Sequence, residues 1–187
     1  MKRTPLTFFA ALIFTLLLLA LGYSSFGFWT MLIFSSGFLG GFIIWALLPI
    51  NKVLYSRIKL PYWLTMGFFL SLHKVEENIF KFQEKLAEIT GTPVPEITQL
   101  TLILLVVASV GAWLLIPAML KRGDDFAYYL AWTFFSAMGI TELAHFILPF
   151  FKNQPYGYFP GMASVLFLAP AAWWGMARLF KKHNDFI

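Results

Sequence analysis

The sequence predicts an all-α protein, a polytopic transmembrane bundle of about six helices with both termini in the cytoplasm. Three observations predict it: apolar runs of spanning length, a shortage of charge, and the way the basic residues are distributed. Of 187 residues, 59% are hydrophobic and 12% charged, where a soluble domain carries about 25% charged residues. Lipid is therefore the expected main solvent, and the size fits one domain over residues 1–187. There are no cysteines, which excludes disulfides, thiolate nucleophiles and Cys-ligated metals. The net charge of +5 sits in short clusters between apolar runs, where membrane topology uses it; no nucleic-acid partner is expected.

A spanning helix needs roughly 20 mostly apolar residues. Runs of that kind fall at about 6–22, 26–50, 97–120, 126–151 and 161–180. A further segment, about 61–82, is harder to assign. Its uninterrupted apolar stretch, Tyr62 to Leu72, is too short to span alone and runs straight into His73, Lys74, Glu76 and Glu77. Charge bias decides the count. If all six segments cross, Lys2, Arg3, Lys52, Arg57, Lys59, Lys121, Arg122, Arg178, Lys181 and Lys182 share the cytoplasmic side. Only Lys74, Lys81, Lys85 and Lys152 fall in or beyond the outer half, as the positive-inside rule requires. Five crossings would put the clusters at Lys121 and Arg178 on the side opposite Lys2 and Lys52. The N-terminus also has the outline of a signal peptide, with Lys2, Arg3, an apolar run and then Ser24 and Ser25. The run is long and no A-x-A site follows, so it is read as the first span. Glu84–Ile89 reads as an amphipathic extension of the third helix, broken by Gly91 to Pro95.

Two short motifs carry the chemistry: His73-Lys74-Val75-Glu76-Glu77, followed by Asn78, and Glu142-Leu143-Ala144-His145. Residues three and four apart share a helix face. His73, Glu76 and Glu77 are thus expected on one side of the third helix, and Glu142 and His145 on one side of the fifth. Counted from the helix starts, at about 1.5 Å per residue, the two motifs differ by roughly 6 Å in depth, within reach of helix tilt. Both fall in the outer half of the membrane. Ionisable groups there cost at least about 2.5–3.5 kcal/mol each. Three carboxylates and two imidazoles at one depth need compensation, and a divalent cation supplies it. Glu-x-x-His from one helix joined by Glu and His from another is the ligand logic of carboxylate-bridged bundles. The set suits one zinc or iron, or two iron or manganese ions. The candidate metal ligands are His73, Glu76, Glu77, Glu142 and His145, with Glu77 either a fifth ligand or a general base. Lys74 is expected to point away and snorkel outward. His183 reads as a solvated end residue.

Smaller signals surround these motifs. Gly37, Gly40 and Gly41 form a small-residue face suited to close helix packing. Trp29, Trp63, Trp173, Trp174, Tyr128, Tyr129, Tyr156 and Tyr158 read as an aromatic belt. Thr141 and Ser136 are candidates to hydrogen-bond the cluster, and Asn153, Gln154 and Tyr156 to line its mouth.

The first motif resembles a family of small bacterial polytopic membrane proteins named for its HXXEE motif, here His73-x-x-Glu76-Glu77. Glu142-x-x-His145 looks like that family's second motif. Tyr158-Phe159-Pro160-Gly161, opening a last helix that contains Pro170, looks like its C-terminal signature. The resemblance covers about 26–180. It implies an architecture and a shared site in a bacterial plasma membrane, and no substrate.

The function expected from these residues is a membrane-embedded, metal-dependent enzyme acting on a lipophilic substrate, of hydrolase or oxidoreductase type. Phe-rich walls (22 Phe) suit an acyl or isoprenoid chain. A metal-free, isomerase-like enzyme using the same His and Glu pairs is an alternative. So is a proton-coupled or divalent-cation transporter, although no inverted repeat is visible and the acidic cluster occupies one half of the membrane. A structural subunit, with the cluster pairing to a partner helix, is a further class.

Overall fold

The computed structural model describes residues 4–48, 53–152 and 154–181. Every regular element among them is helical. Four helical segments are long and apolar enough to cross a membrane: Pro5–Leu47, Leu100–Lys121, Asp125–Phe151 and Met162–Phe180. This is the build of an integral membrane protein.

The first of these, α1 (Pro5–Leu47, 43 residues), would be about 65 Å long if straight, twice the roughly 30 Å of a hydrocarbon core. It folds back on itself instead. Gly27 has φ 73° and ψ −175°, a region open essentially to glycine alone. Beyond it the Phe8 ring meets Phe42 at 5.4 Å and Trp45 at 6.3 Å. Residues 5–26 and 28–47 are thus two antiparallel arms, with the reversal at Gly27. Thr4 caps the start, accepting from the Thr7 N–H at 3.1 Å.

The segment expected as the third span begins earlier than its sequence suggests. Helix α2 (Tyr55–Gly67) contains Pro61 rather than starting at it, a placement membrane helices tolerate. A π-helical turn, Phe68–His73, follows, in which the Lys74 N–H reaches the Phe69 carbonyl five residues back. Then come α3 (Lys74–Ile79) and, after Lys81 in the left-handed region at φ 56°, α4 (Phe82–Thr90). The amphipathic stretch is therefore a separate helix, not an extension. Helix α5 is Leu100–Lys121.

Helix α6 (Asp125–Gly139) is the central element. Asp124 caps it through the Phe126 N–H at 2.9 Å, and every residue from Ala127 to Gly139 is buried. The second arm of α1 packs against it at the glycine face: a Cβ on Gly41 would lie 2.6 Å from Thr133 Cα, and one on Gly37 2.8 Å from Ala137 Cα. The expected continuous helix to Phe151 breaks at Ile140. Its remainder is a 3-10 turn (Thr141–Leu143), the short helix α7 (Ala144–Ile147) and a second 3-10 turn (Leu148–Phe151). Trp173 Nε1 takes up the freed Gly139 carbonyl at 2.7 Å. Helix α8 (Met162–Phe180) closes the bundle.

The ends of the bundle are tied by polar contacts. At the hairpin end, Ser25 Oγ donates to Thr101 Oγ1 at 3.1 Å, and a Cβ on Gly27 would touch Thr92. At the other end, Tyr128 donates to the Val53 carbonyl at 3.2 Å, and Lys121 lies over the Tyr55 ring. Tyr129, expected in an interfacial belt, is fully buried and bonded to Thr15 Oγ1 at 2.7 Å; Tyr128 is buried too. Lys2, Arg3, Lys52, Asn153, Lys182 and His183 lie outside the described residues.

Candidate metal centre

The π-turn aims His73 at the bundle interior, and Glu77, four residues on, follows it. The short strip after α6 turns Glu142 and His145 toward the same point. Their donor atoms, His73 Nε2, His145 Nε2, one Glu77 oxygen and one Glu142 oxygen, lie within 4.8 Å of one another. Glu142 Oε2 is 3.1 Å from each Nε2. Glu77 Oε1 is 3.3 Å from His73 Nε2 and 3.6 Å from His145 Nε2. The two imidazoles stand edge to face, 4.9 Å between centroids and 86° between planes. Both are buried.

The other ring nitrogens fix the tautomers. His145 Nδ1 is hydrogen-bonded to the Pro160 carbonyl. A carbonyl only accepts, so Nδ1 carries the proton. His73 Nδ1 lies 2.9 Å from Ser164 Oγ. That hydroxyl donates to the Gly161 carbonyl at 3.1 Å, so it accepts from His73. In its neutral form each imidazole thus turns an Nε2 lone pair toward carboxylate oxygens. His73 Nε2 is buried with no hydrogen-bond partner among the described residues, although Glu142 Oε2 is 3.1 Å away. Acceptors facing acceptors repel. A cation between them, a metal ion or a proton, turns the repulsion into binding. An Nδ1–H anchored on a carbonyl or hydroxyl is also how metal-binding histidines are held.

Glu76 is not brought to this point. Neighbouring residues on a helix are about 100° apart, so Glu76 and Glu77 point in different directions. Glu76 turns to the start of α8, where it accepts from the backbone N–H groups of Gly161 and Ala163 at 3.1 Å and of Ser164 at 2.7 Å, and from the Tyr158 hydroxyl. These are helix N-terminal donors that need an acceptor, and the helix dipole there favours negative charge. Burial and the Glu76 carboxylate raise the Tyr158 phenol above its ordinary pKa, so it stays a donor. Glu76 is accordingly a cap supplied in trans. Its expected place among the ligands is corrected to that role.

Lys74 is a second correction. It bonds Glu77 Oε2 at 2.5 Å and lies over the Phe69 ring, 5.0 Å from its centroid, rather than pointing away. Thr141 and Ser136 do not reach the cluster; Thr141 pairs with Ser36 at 2.9 Å, and Ser136 donates to the Ser36 carbonyl at 3.5 Å. The sequence reading missed what residues 158–164 do at the centre. Tyr158 and Gly161 hold Glu76, Pro160 and Ser164 hold the imidazoles, and Phe159 packs 6.1 Å from the His145 ring. The signal was the motif itself, Tyr158 to Gly161, which had no assigned part.

The fold and this site define a helical membrane protein with a buried His/Glu centre. The chain belongs to a family described as proteins of unknown function with an HXXEE motif, whose profile matches residues 63–175, more than half of the chain. The match is narrower than the stretch 26–180 over which the motifs suggest likeness, and it contains both motifs and residues 158–161. No curated protein and no solved structure matches the chain.

Proposed function

We propose that the protein is a membrane-embedded metalloenzyme whose His73, Glu142, His145 and Glu77 side chains face one divalent ion. The observation that carries this reading is the pair of imidazole Nε2 atoms turned on two carboxylates inside an apolar bundle. The imidazole–carboxylate pairs are 3.1 to 3.6 Å apart and all four donors lie within 4.8 Å of one another, which leaves room for one ion at about 2.0–2.2 Å from the atoms that bind it. With Glu76 engaged elsewhere, a second ion at the roughly 3.5–4 Å of two-metal sites has no further group of donors among the described residues. Imidazole and carboxylate ligands suit zinc, iron and manganese. The metal's identity therefore selects between hydrolysis and oxidation. When bound, the ion would polarise a substrate oxygen or activate water or dioxygen.

A lipophilic substrate is supported by a cavity of about 680 Å³ between the second arm of α1, α4 and the strip after α6. Trp29, Leu32, Ile33, Ala144, Ile147 and Leu148 are among its lining residues, and Thr141 and Ala144 flank Glu142 and His145 in sequence. The protein is read as resident in a bacterial plasma membrane, with both ends cytoplasmic. Arg57, Lys59, Lys121, Arg122, Arg178 and Lys181 support this, since all belong to the end away from the hairpin turn.

The decisive experiment is elemental analysis of detergent-purified wild type beside a Glu142→Ala, His145→Ala double variant. About one ion per chain in the wild type, absent from the variant, is the expected result. Equal metal content in the two overturns the ligand assignment. The same facing pairs favour one second reading, in which protons in place of a metal join imidazole to carboxylate and the site does acid–base chemistry. Metal-free wild type with undiminished turnover of a lipid substrate would establish it.

A further inference from the structure

Among the four converging side chains, Glu77 is tied to a second partner of full opposite charge. Lys74 Nζ holds its Oε2 at 2.5 Å, which leaves only Oε1 to face the imidazoles, at 3.3 and 3.6 Å. Glu142 is drawn closer, 3.1 Å from both. Exposure also rises in one direction across the centre. The side chains of His73 and His145 are 0% and 3% exposed, those of Glu77 and Glu142 9% and 14%, and Lys74 46%. The imidazoles thus lie deepest, and Lys74 is the most exposed of the five.

Resting on the metal reading above, we propose that Lys74 is a positioning residue. It keeps Glu77 from direct ligation and holds it as a base over a fourth, exchangeable position on an ion bound by His73, Glu142 and His145. Charge and coordination both favour this division. A zinc-type ion closed by four protein ligands is the structural pattern, and three ligands with one open position the catalytic one. Two neutral imidazoles and Glu142 leave a dication with one net positive charge, while Glu77 and Lys74 together are neutral. Moving Glu77 onto the ion would neutralise the centre at the expense of the Glu77–Lys74 pair, weakening the partner of an ammonium at membrane depth, where a poorly paired charge is costly. The other charges on these elements are engaged elsewhere. Glu76 caps α8, Lys81 pairs with Glu84, and Lys85 pairs with Glu88.

The test uses full-length protein in detergent, stripped of metal and reloaded with Co²⁺, with azide as the probe of the fourth position and the visible cobalt bands as readout. Wild type and Glu77→Gln are expected to bind one cobalt each and to shift their bands on azide addition. In Lys74→Met the freed Glu77 takes the fourth position. Azide affinity then falls about tenfold or more, on the scale of outer-shell changes at metal sites. Lys74→Arg restores it, and so does the Lys74→Met, Glu77→Gln double variant, which removes the competing carboxylate. Loss of cobalt from Glu77→Gln, or azide binding unchanged in Lys74→Met, overturns the proposal and leaves the metal site standing. Failure of the wild type to bind cobalt overturns the metal reading itself. Should Lys74→Met not fold, Glu77→Gln still decides, because a ligand role predicts that it loses the metal.

Discussion

Adjacent glutamates in one motif have taken opposite jobs. Glu77 faces the imidazoles while Glu76 satisfies the start of α8, because a helix turns about 100° per residue. Glu76→Gln is therefore expected to keep the metal and to lower stability. Hydrogen bonds to a charged group contribute about 1.5–3 kcal/mol, so the unfolding temperature in detergent should drop while elemental analysis stays unchanged. A Glu76→Gln variant that loses its metal would put this carboxylate back among the ligands. Gly161 has the opposite sensitivity. It sits at φ 97°, and a Cβ there would run into the His145 ring. Gly161→Ala should push His145 off its position and weaken metal binding about 10–100-fold, the usual cost of disturbing what orients a ligand. Competition with a chelator measures it, and wild-type affinity would count against the arrangement.

Helix α6 and the strip that follows it carry Glu142 and His145, so their seating against α1 decides whether the centre forms. Gly41 lets Thr133 approach to a distance a side chain would fill. Gly41→Leu is expected to cost about 1–3 kcal/mol through overpacking and to reduce metal occupancy along with it. Both are read on one purified sample, by thermal unfolding and elemental analysis. The cavity face of the same strip is independent of the ligands. Ala144→Phe should occupy the space beside Leu148 and Ile33, suppress turnover of a lipid substrate and leave the metal in place. Unchanged turnover would show that the substrate binds elsewhere.

The proposed topology of six crossings would place the hairpin turn at Gly27, the loop after α4 and the residues before α8 on one side of the bundle. The basic residues at Arg57, Lys121 and Arg178 fall on the other. Because the chain has no cysteine, single substitutions report sidedness directly. Gln154→Cys should react with a membrane-impermeant maleimide on intact cells, and Arg122→Cys only after the cells are opened. The reverse pattern would invert the topology and put the metal centre in the cytoplasmic half.

Local composition determined the apolar spans, the charge bias between them, and the two motifs that hold every donor of the centre, because hydrophobicity and residue type act at the position where they stand. Tertiary structure decided the rest. A π-turn at Phe68–His73 and a break at Ile140 set which way the motif side chains point, and a regular 3.6-residue count contains neither. The pairing of Glu76 with α8, of Lys74 with Glu77, and of Pro160 and Ser164 with the imidazoles depends on which helices become neighbours. In a membrane, a buried polar group must find its partner within the protein, and only the packed bundle brings those partners into reach.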